Sequence, residues 1–352
     1  MVSTHLQIFH GAGQPLTFEQ RELEFNPGPG EVLVAIELAT ICGSDLHTLD
    51  GRRTEETPCV LGHEAVGSVV QIGSGRNLTI GDRVTWSIAN SCGRCDPCVT
   101  DNLPQKCDRL FKYGHAPLDS GTGHNGCYAS HIVLRAGTHI ARIPDAVPNS
   151  VAAPANCALA TMVNAVSQLP KTPRSVVVQG AGLLGLYGCA LLEEAGVENI
   201  YCTEIDPSRK EWIQRFGGIP IDAATAEREI SNLHPSGIDA IFEVAGTRSV
   251  VPEGIRLLRN GGTYIFIGLV HPDSELSISG ETIIKKCLTL RGIHNYAPHH
   301  LDTALEFLER QVSQRPFESL VAPAQPLEDL TAALALAKTQ QWARVSIAAN
   351  TP

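Results

Sequence analysis

The sequence predicts an α/β chain of two domains, one β-rich and the other built on a doubly wound parallel sheet. Three observations predict it. Short β-like runs alternate with Gly/Pro turns up to about residue 150. From residue 175 the pattern changes to strand, helix, strand, helix, the alternation that produces a parallel sheet. At that change stands Gly180-Ala181-Gly182-Leu183-Leu184-Gly185, a glycine-rich turn between the first strand and its helix.

In the first part, 31–38, 65–72, 83–87 and 128–134 read as strands. In the second, 175–179 is a buried strand, 183–195 a helix and 199–203 the next strand. Pro207 then opens another helix, at the position where its missing N–H costs nothing. Further strands are expected at 237–244 and 262–268, then two helical runs after residue 294 and a last strand near 344–347. No internal repeat or low-complexity segment interrupts this plan.

Composition narrows the function. The 352 residues are 43% hydrophobic, enough for two cores. Lys+Arg number 27 against 37 Asp+Glu, a net charge of −10 with no basic block, which argues against nucleic acid or anionic membrane as partner. The longest apolar stretch, 175–192, is broken by Gln179 and by glycines, so it is not read as a membrane span. The N-terminus lacks a basic start followed by an apolar core. The expectation is a cytoplasmic enzyme acting on a small molecule, with its 11 cysteines reduced or metal-bound.

Cys92, Cys95, Cys98 and Cys107 give the spacing C-x2-C-x2-C-x8-C. Four thiolates on one tight loop surround a zinc ion tetrahedrally and leave no open position, so such a site is structural. A pair of disulfides is the alternative. A second, dispersed set comprises Cys42 in Cys42-Gly43-Ser44-Asp45-Leu46-His47, His63 and Glu64 in Gly62-His63-Glu64-Ala65, and Cys157. Two cysteines and a histidine with water in the fourth position make an open, catalytic zinc site, which polarises an alcohol oxygen. Ser44 and His47 lie one helical turn apart beside Cys42, placed to pass the alcohol proton to solvent. Taken singly, each residue reads better as a buried hydrophobe or a structural histidine; the set is what points to chemistry.

Gly180, Gly182, Leu183, Leu184 and Gly185 form the G-x-G-x-x-G turn that lets a pyrophosphate approach backbone N–H groups at a helix N-terminus. The next strand ends in Glu204, nineteen residues past Gly185, where a carboxylate binds adenosine ribose hydroxyls. That acid favours NAD over NADP, with Arg209 the one nearby residue suited to a 2′-phosphate.

With these motifs in place, the chain resembles the zinc-dependent medium-chain alcohol dehydrogenases over essentially its full length. The matching stretches are 42–47, 62–67, Gly81-Asp82-Arg83-Val84, the four-cysteine loop, Cys157, the 180–185 turn with Glu204, and Arg344. The resemblance implies a GroES-like catalytic domain at 1–158 and 294–352, split by a Rossmann NAD-binding domain at 159–293. It implies two zinc ions per chain and NAD, and a homodimer or homotetramer. By position, Cys42, His63 and Cys157 correspond to the catalytic ligands and Glu64 to the carboxylate that approaches the metal. Asp45 corresponds to the residue that orients the ligand histidine, Ser44 and His47 to the proton relay, and Arg344 to a cofactor pyrophosphate contact. The Cys98–Cys107 gap is one residue longer than is usual in the family, which a loop absorbs.

Residues 290–296 and Lys112-Tyr113-Gly114-His115 also resemble a subgroup associated with phosphonate catabolism. That implies a phosphonate- or phosphate-bearing alcohol held by some of Arg52, Arg53, Lys112, His115 and His294. Solvated surface charge is the competing reading of those five. A polyol or amino-alcohol dehydrogenase, and a non-enzymatic NAD- or zinc-binding protein, are the alternatives to be weighed.

Overall fold

The apolar run near residue 31 becomes the strand Val32–Thr40, buried along most of its length, around which the first half of the chain is organised. A computed structural model describes residues 1–272 and 274–349. It divides into two compact units, Met1–Ala160 with the segment from Tyr296 onward, and Thr161–Asn295.

In the first unit, Val32–Thr40 pairs antiparallel with Glu64–Ile72, with His131–Leu134 and with Arg344–Ala348. Arg83–Trp86 and Ile140–Arg142 extend the sheet on one side, and Val321–Pro326 joins in parallel on the other. A hairpin of Val2–Phe9 and Thr17–Leu23 pairs with Cys59–Val60. Trp86, Tyr113 and Tyr128 are among the largest fully buried side chains and fill the core beneath these strands. One register decides where chemistry is located: Thr40 stands opposite Glu64, so the end of one strand meets the start of the next. Leading into that start, Gly62 has φ +87°, and a Cβ there would lie 2.7 Å from the Tyr128 ring. Only glycine permits the chain to turn against Tyr128 and deliver His63.

The second unit is a six-stranded sheet in which every pair is parallel. The order is Ile219–Asp222, Asn199–Glu204, Ser175–Gln179, Ile238–Glu243, Leu258–Phe266, Thr289–Gly292. The order reverses direction between Ser175–Gln179 and Ile238–Glu243, and ligands of such sheets bind at the carboxyl ends of strands at that switch. The helix Leu183–Glu194 starts there. Pro207 begins a 3-10 turn, Pro207–Arg209, before the helix Lys210–Arg215, and the Asp206 carboxylate caps it by accepting from the Ser208 N–H at 2.9 Å. The outer strands Ile219–Asp222 and Thr289–Gly292, and the N-terminal hairpin, are additions to what the sequence pattern gives; the two outer strands and the hairpin strand Thr17–Leu23 bury few residues and so lack a clean apolar signal, whereas Val2–Phe9 is mostly buried. Among the described residues, no helix is long and apolar enough to cross a membrane.

The first unit also buries neutral histidines. His131 shares a 2.9 Å hydrogen bond with Ser130 Oγ, and burial, with the nearby charges of His124 and His5, pushes its pKa down to about 4. A histidine that ionises less readily folded than unfolded withholds protons from the native state. Its contribution is therefore complete above the unfolded value near 6.5 and is lost as pH falls from there to about 4. Urea unfolding is expected to show stability declining across that interval, and more shallowly in His131→Gln. Comparing the two proteins at each pH cancels the acid loss of metal common to both. Parallel declines would remove His131 from the explanation.

Candidate functional site

Two clusters of metal-binding side chains form in the first unit. In the first, the ligand atoms of Cys92, Cys95, Cys98 and Cys107 all lie within 4.8 Å of one another. Cys95 Sγ stands 3.4 Å from Cys98 Sγ and 3.7 Å from Cys107 Sγ. Tetrahedral zinc with bonds of about 2.3 Å places thiolates about 3.8 Å apart, whereas a disulfide needs about 2 Å, so the set fits the metal and not the cross-link. Short turns make this possible: Cys95 precedes the helical turn Asp96–Val99, and Cys107 ends the 3-10 turn Pro104–Lys106. The Cys92 and Arg109 N–H groups donate to Cys107 Sγ at 3.2 and 3.3 Å, which suits a charged thiolate. The longer Cys98–Cys107 interval is taken up by that turn.

The second cluster joins Cys42, His63, Glu64 and Cys157, again with ligand atoms within 4.8 Å. Cys42 caps the helix Gly43–Leu49, and its N–H donates to Asp45 Oδ2 at 3.0 Å. The same Asp45 oxygen accepts from Tyr128 Oη at 2.8 Å, and Asp45 Oδ1 lies 3.3 Å from His63 Nδ1. His63 therefore turns Nε2 toward the cluster, where Ser44 Oγ stands 3.4 Å away. His47, one turn further along the same helix, shares a face with Ser44. Cys157 follows the 3-10 turn Ala153–Asn156, and the Asn156 side-chain amide donates to the carbonyls of His63 and Trp86, each at 3.0 Å.

The electrostatics favour a cation. A hydrogen bond from Cys157 holds the Cys42 thiol well below its ordinary pKa, helped by Arg344 and His63 and opposed by burial. Burial lowers the His63 basicity, but Asp45 outweighs it and pushes the pKa up to about 10. A thiolate and an electron-rich imidazole, oriented by a buried carboxylate, are good zinc ligands. Burial also raises Glu64 to about 7 against the opposing pull of Arg344. The Arg344 guanidinium meets Glu64 through Nε and Nη2 at 2.8 and 2.9 Å, and Thr40 Oγ1 donates to Glu64 Oε2 at 2.7 Å.

Arg344, expected beside a pyrophosphate, is engaged within the first unit by Glu64. Its side chain is 8% exposed, bonded to Glu64 and the Ala343 carbonyl, with Nη2 3.6 Å from Cys42 Sγ. The register of Arg344–Ala348 beside Val32–Thr40 sets Ser346 opposite Thr40, which in turn stands opposite Glu64, so Arg344 lies two residues beyond that row.

Beside the second cluster lies a polar group that the sequence only half discloses. Lys112 ends the two-residue strand Phe111–Lys112, and the His115 N–H reaches back to its carbonyl at 3.3 Å. The His115 ring stacks on the His63 ring with centroids 5.5 Å apart. His115 Nδ1 lies 2.7 Å from Glu55 Oε1. Burial pushes the His115 pKa down to about 4. Lys112 is half-buried, its side-chain ammonium makes no hydrogen bond or ion pair among the described residues, and its pKa is lowered by burial and by the Arg53 charge. Arg52 and Arg53 follow the helix Gly43–Leu49, their N–H groups donating to the His47 carbonyl; Arg52 is exposed and Arg53 partly covered. His294 lies in the other unit, two residues past its last strand.

In that unit Gly180 has φ +106°, and a Cβ on Gly185 would lie 1.9 Å from the Gly180 carbonyl oxygen. Gly182 caps the helix, and a Cβ there would meet nothing within 4 Å, leaving the cradle open for a phosphate. Leu183 is buried and Leu184 partly so, anchoring the first turn. Glu204 Oε2 accepts from the Ala181 N–H at 2.8 Å, tying the second strand to the turn. Arg209 sits 3.5 Å from Glu204 and 3.7 Å from Asp206.

Tyr128, Thr40, Asn156 and Glu55 touch site residues without having been singled out in the sequence. Asn156 adjoins Cys157 in the chain, which is a usable signal; Thr40 and Glu55 lie near Cys42 and Arg53 but meet partners remote in sequence, and Tyr128 comes from a distant segment.

Residues 28–145 match the model of the alcohol dehydrogenase GroES-like domain, and residues 184–310 that of the zinc-binding dehydrogenase. The 5-exo-hydroxycamphor dehydrogenase of Pseudomonas putida is 27% identical over 332 residues, 89% of this chain and 90% of that protein. A probable D-xylulose reductase A of Neosartorya fischeri is 30% identical over 294 residues, 79% of each chain. The crystal structure of an alcohol dehydrogenase from Thermotoga maritima superposes with a TM-score of 0.92 at 28% identity, covering 99% of this chain and 100% of that one.

Replacing Cys95 by serine is expected to lower zinc content by about one ion per chain and to depress the thermal midpoint, because a hydroxyl is a poor ligand and the loop has little other reason to fold. Metal analysis and a melting curve decide it. An unchanged zinc content with an unchanged midpoint would reject the thiolate set as a zinc site.

Proposed function

This chain belongs to the zinc-dependent medium-chain alcohol dehydrogenase family, and from that premise we propose that it transfers hydride between NAD and a small alcohol or aldehyde carrying a phosphonate, phosphate or similar anionic group. The family membership makes it an oxidoreductase acting on alcohols, with zinc and a nicotinamide cofactor. When bound, these groups supply a Lewis acid for the alcohol oxygen and an acceptor for its hydride.

The chain's own residues take the remaining roles. Cys42, His63 and Cys157 would hold the catalytic zinc, with Glu64 the neighbouring carboxylate of the same cluster. Asp45 fixes the His63 tautomer. Ser44, 3.4 Å from His63 Nε2, receives the alcohol proton and passes it toward His47 and solvent. The glycine turn receives the pyrophosphate, and Glu204 the adenosine ribose. NAD is favoured because Arg209 is already engaged by Glu204 and Asp206. A 2′-phosphate would meet two carboxylates with that arginine committed to them.

The observation that carries the reaction is the convergence of Cys42, His63, Glu64 and Cys157 from segments far apart in sequence. What supports an anionic substrate is Lys112, a half-buried cation with no bonded partner among the described residues, near enough to Cys42, Cys157 and Arg53 to feel their charges. Partly desolvated cations are stable where an anion completes them. A neutral alcohol or polyol is the second reading, favoured by the uncharged substrates in the names of the two relatives above.

One assay separates these. Hydroxyalkyl phosphonates and the matching neutral alcohols are compared with NAD and with NADP. The expected result is a preference for the phosphonate, weakened by salt, and a preference for NAD of about a hundredfold, the effect of roughly 3 kcal/mol of lost hydrogen bonding and added repulsion. Lys112→Met should raise KM for the anion and leave the neutral alcohol nearly unchanged. Better turnover of neutral alcohols without salt dependence would reject the anionic reading, and equal use of both cofactors would reject the role of Glu204.

A further inference from the structure

We propose that Asn156 and Tyr296 are positioning residues for the catalytic metal, holding the main chain at His63 and at Cys157 in one fixed relation so that the ligands stand ready before the ion arrives. This rests on the reading of Cys42, His63 and Cys157 as the catalytic zinc shell.

Regular structure does not tie the three ligands together. Cys42 caps a helix, and His63 immediately precedes the strand Glu64–Ile72. Cys157 stands between the 3-10 turn Ala153–Asn156 and the helix Ala158–Ser167, with φ −125° and ψ −73°. Asp45 joins the first two, through the Cys42 N–H and His63 Nδ1, and its remaining bond goes to Tyr128 and not to Cys157.

The third ligand is connected one residue earlier in the chain. The Asn156 amide donates to the His63 carbonyl and to the Trp86 carbonyl, each at 3.0 Å. The Asn156 backbone carbonyl accepts from the Tyr296 hydroxyl, whose oxygen in turn accepts from the Ile88 N–H at 3.3 Å. Side chain and backbone of Asn156 are thus anchored by two routes to the same stretch, Trp86 to Ile88, while a further bond runs to the main chain of a metal ligand. The spacing between His63 and Cys157 is set by this closed ring of bonds.

The chemistry explains why the residue is asparagine. An NH2 group supplies two hydrogens and serves two carbonyls at once. Turning the amide over would press Oδ1 against both of them. In the orientation observed, Oδ1 is buried and has no hydrogen-bond partner among the described residues. A buried acceptor left unpaired is destabilising and uncommon in folded proteins. A side chain present only to fill space would do better without it, so the two donated bonds are what the position requires. Asn156 is 0% exposed and Tyr296 4%, so both act through the ligands and not on a substrate. Removing such partners behind a metal ligand typically weakens metal binding by about 10- to 100-fold.

The test follows zinc release to a chromogenic chelator from zinc-loaded wild type, Asn156→Leu and Tyr296→Phe. Leucine keeps the branched shape and removes both donors; phenylalanine keeps the ring and removes the hydroxyl. The release phase missing from Cys157→Ala belongs to the mixed cysteine and histidine shell. That phase is expected to be at least about tenfold faster in both variants than in wild type. Release from the four-thiolate loop should be unchanged, because neither residue bonds to it. Cobalt(II) bound in place of zinc should show visible bands that are shifted or weakened in both variants. A lowered thermal midpoint with wild-type release and wild-type cobalt bands would make the two residues structural only and overturn the proposal. Release quickened equally from both sites would overturn it too, since that reports general loosening. If Asn156→Leu does not fold, Tyr296→Phe decides by the same criterion. Loss of one phase in Cys157→Ala, with wild-type release in the other variants, would uphold the metal shell while rejecting the positioning role. A Cys157→Ala protein that keeps every phase would reject the metal shell itself, and the proposal with it.

Discussion

A single buried carboxylate, Asp45, joins the segments that carry the chemistry. It accepts from the Cys42 N–H, from the Tyr128 hydroxyl and faces His63. Burial alone would raise its pKa, but the His63 interactions outweigh that and hold it below its ordinary value, so it remains an anion in the core. Its partners come from a helix cap, a strand entry and a distant loop. Holding them in one place costs conformational entropy, which a network of charge-assisted hydrogen bonds offsets better than neutral contacts do. Removing Asp45 would leave the Tyr128 hydroxyl and the Cys42 N–H without an acceptor and release the His63 tautomer.

The pairing of Glu64 with Arg344 follows a different logic. Both are almost fully buried, and desolvation of such a pair commonly equals or exceeds its Coulombic gain. Stability is therefore a weak reason for it to exist. Its geometry offers a better one: a bidentate fork locks the Glu64 carboxylate beside Cys42, Thr40 adds a third bond, and the strand carrying Arg344 is pinned to the strand carrying Thr40. The ion pair sets where a metal-facing carboxylate stands, and it makes the late segment of the chain part of the site.

Local spacing was legible in the sequence, and long-range pairing was not. The four-cysteine loop lies within sixteen residues, so its spacing already implied the cluster, and the glycines at 180–185 implied a turn whose backbone contacts exclude a Cβ at Gly185. The core strands Val32–Thr40 and Ser175–Gln179 announced themselves through burial on both faces. The Glu55–His115 pair joins residues sixty apart through a loop and a turn, neither of which has a periodic signal. Arg344 shows the converse limit: the residue was noticed, yet its partner depends on strand register, which residue type does not encode.

Charge on this protein acts at two ranges. The whole chain carries −10, which at a distance repels an anion. Close to the second metal cluster Lys112 feels the Arg53 charge together with the opposing charges of Cys157, Glu55 and Cys42, and Glu55 is bonded to His115. Salt screens the long-range field over about 10 Å, whereas a half-buried ammonium at contact distance is screened far less. For the anionic substrate proposed above, the distant repulsion would bear on the rate of encounter and the local cations on the lifetime of the complex. By engaging Glu55, the neutral imidazole of His115 keeps that carboxylate from pairing with Lys112. The same hydrogen bond leaves the Lys112 ammonium without a bonded carboxylate among the described residues.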